Sequence, residues 1–139
     1  MYPFSYSVSF HVSHPSIDPH RITESLCLNP TSLCKAGDSK QTPSGTPLAG
    51  TYEKSHWYCD FPHPEGIELS IFLAYVVDLL AVHKSFLEDI CKSGALLQIS
   101  VGWYSGSNSG DEFDWVLLKK LADLQIGLSL DVYAEEEDE

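Results

Sequence analysis

The chain has 139 residues, room for one domain with a core of its own. Apolar residues make up 43% and aromatics 12%, which excludes a disordered chain. Twenty Asp and Glu against eight Lys and Arg give a formal charge of −12, so neither nucleic-acid phosphates nor an anionic membrane surface is an expected partner.

Phe4 to Ser13 alternates almost without fault: Phe4, Tyr6, Val8, Phe10 and Val12 on one side, Ser5, Ser7, Ser9, His11 and Ser13 on the other. That period predicts a strand buried on one face only. Asp18 is placed to cap a helix with Pro19 at its first position, and Ile22 and Leu26 give it an apolar side before Asn29 and Pro30 stop it near Leu28. Asp38 to Thr51 carries Pro43, Gly45, Pro47 and Gly50 without periodicity and reads as a long mobile loop. His56 to Phe61 alternates again, with Trp57, Cys59 and Phe61 inward.

From about Ile67 towards Ser93 a helical spacing follows: Leu69, Phe72, Leu73, Val76, Leu79, Leu80, Phe86, Leu87 and Ile90, with Gly94 as the terminating residue. Whether the helix breaks near His83 stays open. Its apolar stretch is too short and too polar for a membrane span. Leu97, Ile99, Val101 and Trp103 predict a third strand, and Gly106 to Gly110 a polar loop. Asp111 is then expected to cap a helix carrying Phe113, Leu117, Leu121 and Leu124, which Gly127 ends. Leu128, Leu130 and Val132 alternate with Ser129, Asp131 and Tyr133 as a fourth strand. The run Glu135–Glu139 is wholly acidic and expected to be a solvated tail; without it the body still carries −7.

The expected order is β-α-β-α-β-α-β. One-sided strands imply an α+β two-layer sandwich with a roughly four-stranded, mainly antiparallel sheet and helices on one face, spanning residues 1–134 as one domain. The run Leu121-Ala122-Asp123-Leu124-Gln125-Ile126-Gly127-Leu128-Ser129-Leu130-Asp131-Val132-Tyr133 resembles the bacterial family catalogued as domain of unknown function 4279. So do Ile17-Asp18-Pro19, Ile22, Leu26, Pro30, Gly37 and Asp38, with Trp57, Leu79, Leu80, Val101 and Gly102. The resemblance runs from the first strand to Tyr133 through turn and core residues, and it brings no catalytic motif.

The opening Met1-Tyr2-Pro3-Phe4 has no basic segment ahead of an apolar one, so a cytoplasmic location is expected. Cys27, Cys34, Cys59 and Cys91 form no close pair, which favours free thiols over a zinc or redox framework. His11, His14 and His20 would need His56 or Asp60 to converge on a metal, and ordinary unliganded histidines are the expectation; no cofactor is expected. No strand-turn-helix serine elbow occurs. Cys91 and His83 stand about two helical turns apart, and Asp111 and Glu112 would repel a phosphate at the helix start they precede.

The sheet's outer face would carry tyrosines among serines and carboxylates, a composition suited to protein recognition. Charge, exposure and aromaticity single out Asp60, Tyr104, Asp111, Glu112, Asp114, Asp131 and Tyr133 as partner-binding residues. The expected function is a non-enzymatic binding module, specifically an immunity-type inhibitor of a basic toxin such as a nuclease. A ligand- or metal-binding regulatory domain built on His11, His14 and His56, or an enzyme with its site beside the Asp38–Thr51 loop, are the alternatives. A homodimer through sheet edges is possible on the same pattern.

Overall fold

The computed structural model describes residues 4–134. Eleven elements follow in order: β1 (Ser5–His14), α1 (Pro19–Leu26), β2 (Ser32–Cys34), β3 (Ser39–Gln41), β4 (Pro47–Thr51), β5 (Ser55–Phe61), α2 (Leu69–Ala81), α3 (Lys84–Lys92), β6 (Leu96–Ser105), α4 (Trp115–Asp123) and β7 (Ile126–Ala134). The α+β class holds, but the sheet has five strands, in the order β2-β5-β1-β6-β7. It is mixed: β1 lies antiparallel to both β5 and β6, whereas β6 and β7 run parallel. A parallel neighbour requires a crossover, and α4 provides it.

The period-two strands fold as the alternation predicts. Val8, Phe10 and Val12 of β1 are buried against the helices, and Trp57, Ile99 and Val101 join them from β5 and β6. The Asp18 carboxylate accepts from the His20 amide (3.1 Å), with Pro19 in the first turn, as expected. That helix closes at Leu26, two residues early, because Cys27 takes a left-handed conformation (φ 55°). The 38–51 segment is not structureless: β3 and β4 pair as a separate two-stranded hairpin. The helical run from Ile67 towards Ser93 does break near His83, the point left open by its spacing: α2 and α3 are bent by 77° at Val82–His83. Gly94 follows α3 with φ 111°, and a methyl there would come within 3.0 Å of the Pro15 ring. Leu79, expected inward, is exposed on α2, while Val77 is buried in its place. Gln125 (φ 58°) turns the chain after α4, ahead of Gly127. Among the described residues no single helix is long and apolar enough to cross a bilayer. The acidic run 135–139 lies outside the described residues.

His14 ends β1 on the core side, opposite to His11, and fastens three elements. Its Nδ1 accepts from the Ser16 and Ile17 amides (3.0 and 2.8 Å). The proton therefore sits on Nε2, which donates to Ser93 Oγ (2.8 Å); Ser93 donates in turn to Ile90 O. Burial, assisted by the Arg21 charge, lowers the His14 pKa below 6.5. Below 6.5 the unfolded chain then binds more protons than the folded one, so this group's contribution to stability is complete above 6.5 and is lost on acidification. His14→Ala takes the acceptor from the buried Ile17 amide and the part-buried Ser16 amide and is expected to cost about 2–4 kcal/mol. Denaturant unfolding on either side of pH 6.5 should show that cost together with a shallower loss of stability towards acid than the wild type.

Candidate functional site

The helices cover one face of the main sheet. The other face is set by register, since residues opposite one another in adjacent strands point the same way. Across it His11 stands between Tyr58 and Gln98, Ser9 between Asp60 and Ser100, and Ser7 opposite Gly102. The parallel β6–β7 pair continues these rows with Ser100 beside Ser129, Gly102 beside Asp131 and Tyr104 beside Tyr133.

The side chains knit into two groups. At the β5–β1 end, Tyr58 donates to Asp60 Oδ1 (2.6 Å) and packs edge-on against the His11 ring (4.3 Å between centroids). The hydrogen bond to Asp60 is the main reason the Tyr58 pKa is raised, because ionisation would set a phenolate against a carboxylate. Burial lowers the pKa of His11; Asp60 opposes this and His56 adds to it. Ser9 Oγ lies 3.4 Å from His11 Nε2 and 3.5 Å from the Ser100 carbonyl. Serine, histidine and aspartate thus share a face, yet the aspartate is engaged by tyrosine. That geometry suits binding better than the activation of a nucleophile. Beside this group a shallow concavity of about 460 Å³ is lined by His11, His56, Tyr58, Gln98 and Gly127.

At the β6–β7 end, Tyr104 and Tyr133 stack with centroids 5.1 Å apart and planes 12° from parallel. Gly102 makes this possible. A methyl at that position would fall 2.5 Å from Ser7 Oγ and 2.7 Å from the Tyr104 hydroxyl, so the phenol lies across the sheet over the missing side chain. Gly102→Ala is expected to lift Tyr104 from the sheet. The near-ultraviolet circular dichroism of the tyrosine stack should change, while the unfolding midpoint holds or rises, because alanine serves a strand better than glycine.

The structure divides the seven residues singled out from sequence. Asp60, Tyr104, Asp131 and Tyr133 share the open face. Asp111, Glu112 and Asp114 lie in the loop between β6 and α4, on the helix layer. The cap of α4 is Asp114, which accepts from the Leu117 amide (2.9 Å), and not Asp111. Asp111 reaches 41 residues back and accepts from the Ser70 amide (3.0 Å) at the start of α2, whose own N-cap Glu68 makes no such bond. Both carboxylates are therefore engaged with helix N-termini, where the dipole favours them. Glu112 is exposed between them, and its backbone amide donates to Asp111 Oδ1 (2.8 Å).

The histidines do not converge: His11 is on the open face, His14 on the core side, and His20 in the exposed first turn of α1. Among the described residues no three His, Cys, Asp or Glu are grouped to share a metal ion. The four cysteines are free, and burial raises the pKa of Cys59 and Cys91, the reverse of what a thiolate nucleophile requires. Sequence reasoning missed an apolar stripe on α2, where Ile71, Tyr75, Leu79 and Val82 stand exposed at spacings of four, four and three. The signal was a helix apolar all round, which leaves an outward stripe whichever side is buried.

In comparison with known proteins, the family model described as Domain of unknown function (DUF4279) matches residues 4–135. No curated protein and no solved structure matches the chain.

Proposed function

We propose that this chain, which belongs to the DUF4279 family, is a protein-binding module that takes a basic partner on the open face of its sheet. The observation that carries the reading is the stacked Tyr104–Tyr133 pair with the exposed Asp131 in the adjacent row, and Asp60 exposed at the β5 end of the same face. Tyrosine faces accept Arg and Lys side chains by cation–π contact, and flanking carboxylates complete their hydrogen bonding. The net charge of −12 adds long-range attraction for a basic partner.

The specific form of the proposal is an immunity-type inhibitor that captures a basic toxin such as a nuclease and acts in the cytoplasm. Such an inhibitor has to bind before its target acts, and electrostatic steering raises association rates more than it raises affinity. Asp111 and Asp114 are set aside as contacts, because each is already engaged at a helix start.

The test is affinity capture from a lysate of the producing organism at low and at high salt, with identification by mass spectrometry. The proposal expects a stoichiometric basic protein that is retained at high salt, as a packed tyrosine interface requires. An acidic partner, or loss of every partner on adding salt, would overturn it.

A further inference from the structure

We infer that the free edge of β7 is the seat of a second copy of this chain, paired across a two-fold axis at Leu130. The two edges of the main sheet differ. The β2 edge is three residues long and is followed directly by Lys35. The β7 edge is nine residues long, contains no proline or cation, carries the single charge of Asp131, and pairs with β6 without a register shift. A long edge with a single charge and neither proline, cation nor bulge is what sheets avoid where the edge is left open to water.

The apolar surface around that edge is also uncovered. α4 shields the start of β7, but Leu130 and Val132 are 46% and 69% exposed. With Trp103 and the 105–109 loop they line a groove of about 650 Å³. Lys120 of α4 bridges to Asp78 of α2 (2.9 Å), which marks the flank facing the helix layer. At 100° per residue Leu118 stands about 160° from Lys120, on the flank of α4 turned away from α2, and it is 49% exposed.

The strand fits itself. An antiparallel pair centred on Leu130 sets all nine residues opposite a partner, Val132 against Leu128 and Asp131 against Ser129. Tyr133 falls opposite Gly127, where an aromatic ring covers the bare backbone. Centring on Asp131 instead would oppose two carboxylates, and centring on Ser129 would leave Tyr133 unpaired. Because Gly127 lines the concavity beside His11 and Tyr58, the second copy brings its Tyr133 to the rim of that depression. The two open faces become one. A standard interface engages about 20–30 residues a side; one strand and a helix flank are fewer, so the dimer is concentration-dependent.

Sedimentation velocity from micromolar to millimolar protein should show 15.4 kDa monomers passing to dimers. Leu130→Lys sets two ammonium groups together at the axis and should weaken the dimer at least tenfold, with the circular dichroism spectrum unchanged. If that variant fails to fold, Val132→Lys decides, with an expected several-fold weakening. A wild type that stays monomeric throughout, a dimer indifferent to these substitutions, or growth into larger assemblies would overturn the inference.

Discussion

Trp57→Ala is expected to remove about 3–5 kcal/mol of folding stability, up to about half or more of what a domain of this size commonly has. The indole is 1% exposed in the middle of β5. It meets Phe10 of β1 edge-on, with centroids 6.2 Å apart and planes at 71°, and its Nε1–H donates to Thr23 Oγ1 of α1 (3.0 Å). The substitution therefore opens a cavity at the sheet–helix boundary and leaves a threonine hydroxyl without its donor. Trp57→Phe keeps much of the apolar volume and loses the hydrogen bond, for an expected cost nearer 1 kcal/mol on that account. Urea unfolding of both variants separates the two contributions. Equal losses would show that the hydrogen bond, and not the packed ring, is what Trp57 supplies.

The second large effect is electrostatic. Reversing Asp60 and Asp131 to lysine changes the formal charge from −12 to −8 and places cations beside the tyrosines of the open face. Against a basic partner the association rate should fall by more than tenfold at low salt, with the deficit shrinking as salt is added. Dissociation should quicken as well, because like charges meet within the contact. Reversing Glu112 and Asp89 on the helix layer makes the same change in net charge away from that face. It should lower the association rate only modestly and leave dissociation unchanged. If both double variants behave alike, net charge alone governs binding and the open face has no special part in it.

How much of this was legible beforehand follows from what each residue's neighbours could reveal. β1, β5 and β6 declare themselves because one face is dry and the other wet, so the side-chain period reports burial directly. The same period marked out the open face and the tyrosines on it. β2, β3 and β4 could not be read that way: their residues are mostly exposed, so no apolar alternation exists to detect. The direction of β7 was hidden for a different reason. A strand's own sequence says which face is buried, not which way its neighbour runs. Its exposed Leu130 and Val132 show the same limit, because alternation predicted a buried side that α4 does not extend far enough to cover.

The helix starts show where local rules compete. Asp111 and Asp114 both precede an apolar helical run, and nothing between them in sequence reveals that Asp111 serves Ser70 instead. The acidic residues singled out as partner-binding are thus divided between two helix caps, the exposed Glu112 beside them and the open face. In α2, burial of Leu69, Leu73, Val76, Val77 and Leu80 leaves Leu79 outside, because a helix apolar on every side offers no preferred face to the eye.

The central claim is that partners are taken on the open sheet face, and it is tested most directly by comparing two paired variants in the same capture experiment. Tyr104→Ala with Tyr133→Ala strips the stacked pair, while Ile71→Ala with Tyr75→Ala strips the exposed stripe of α2. Loss of two central aromatic contacts should weaken binding by well over tenfold. The account predicts that the first pair loses the partner and the second retains it at wild-type affinity. Retention by the tyrosine variant together with loss by the α2 variant would place the interface on the helix layer and contradict the account.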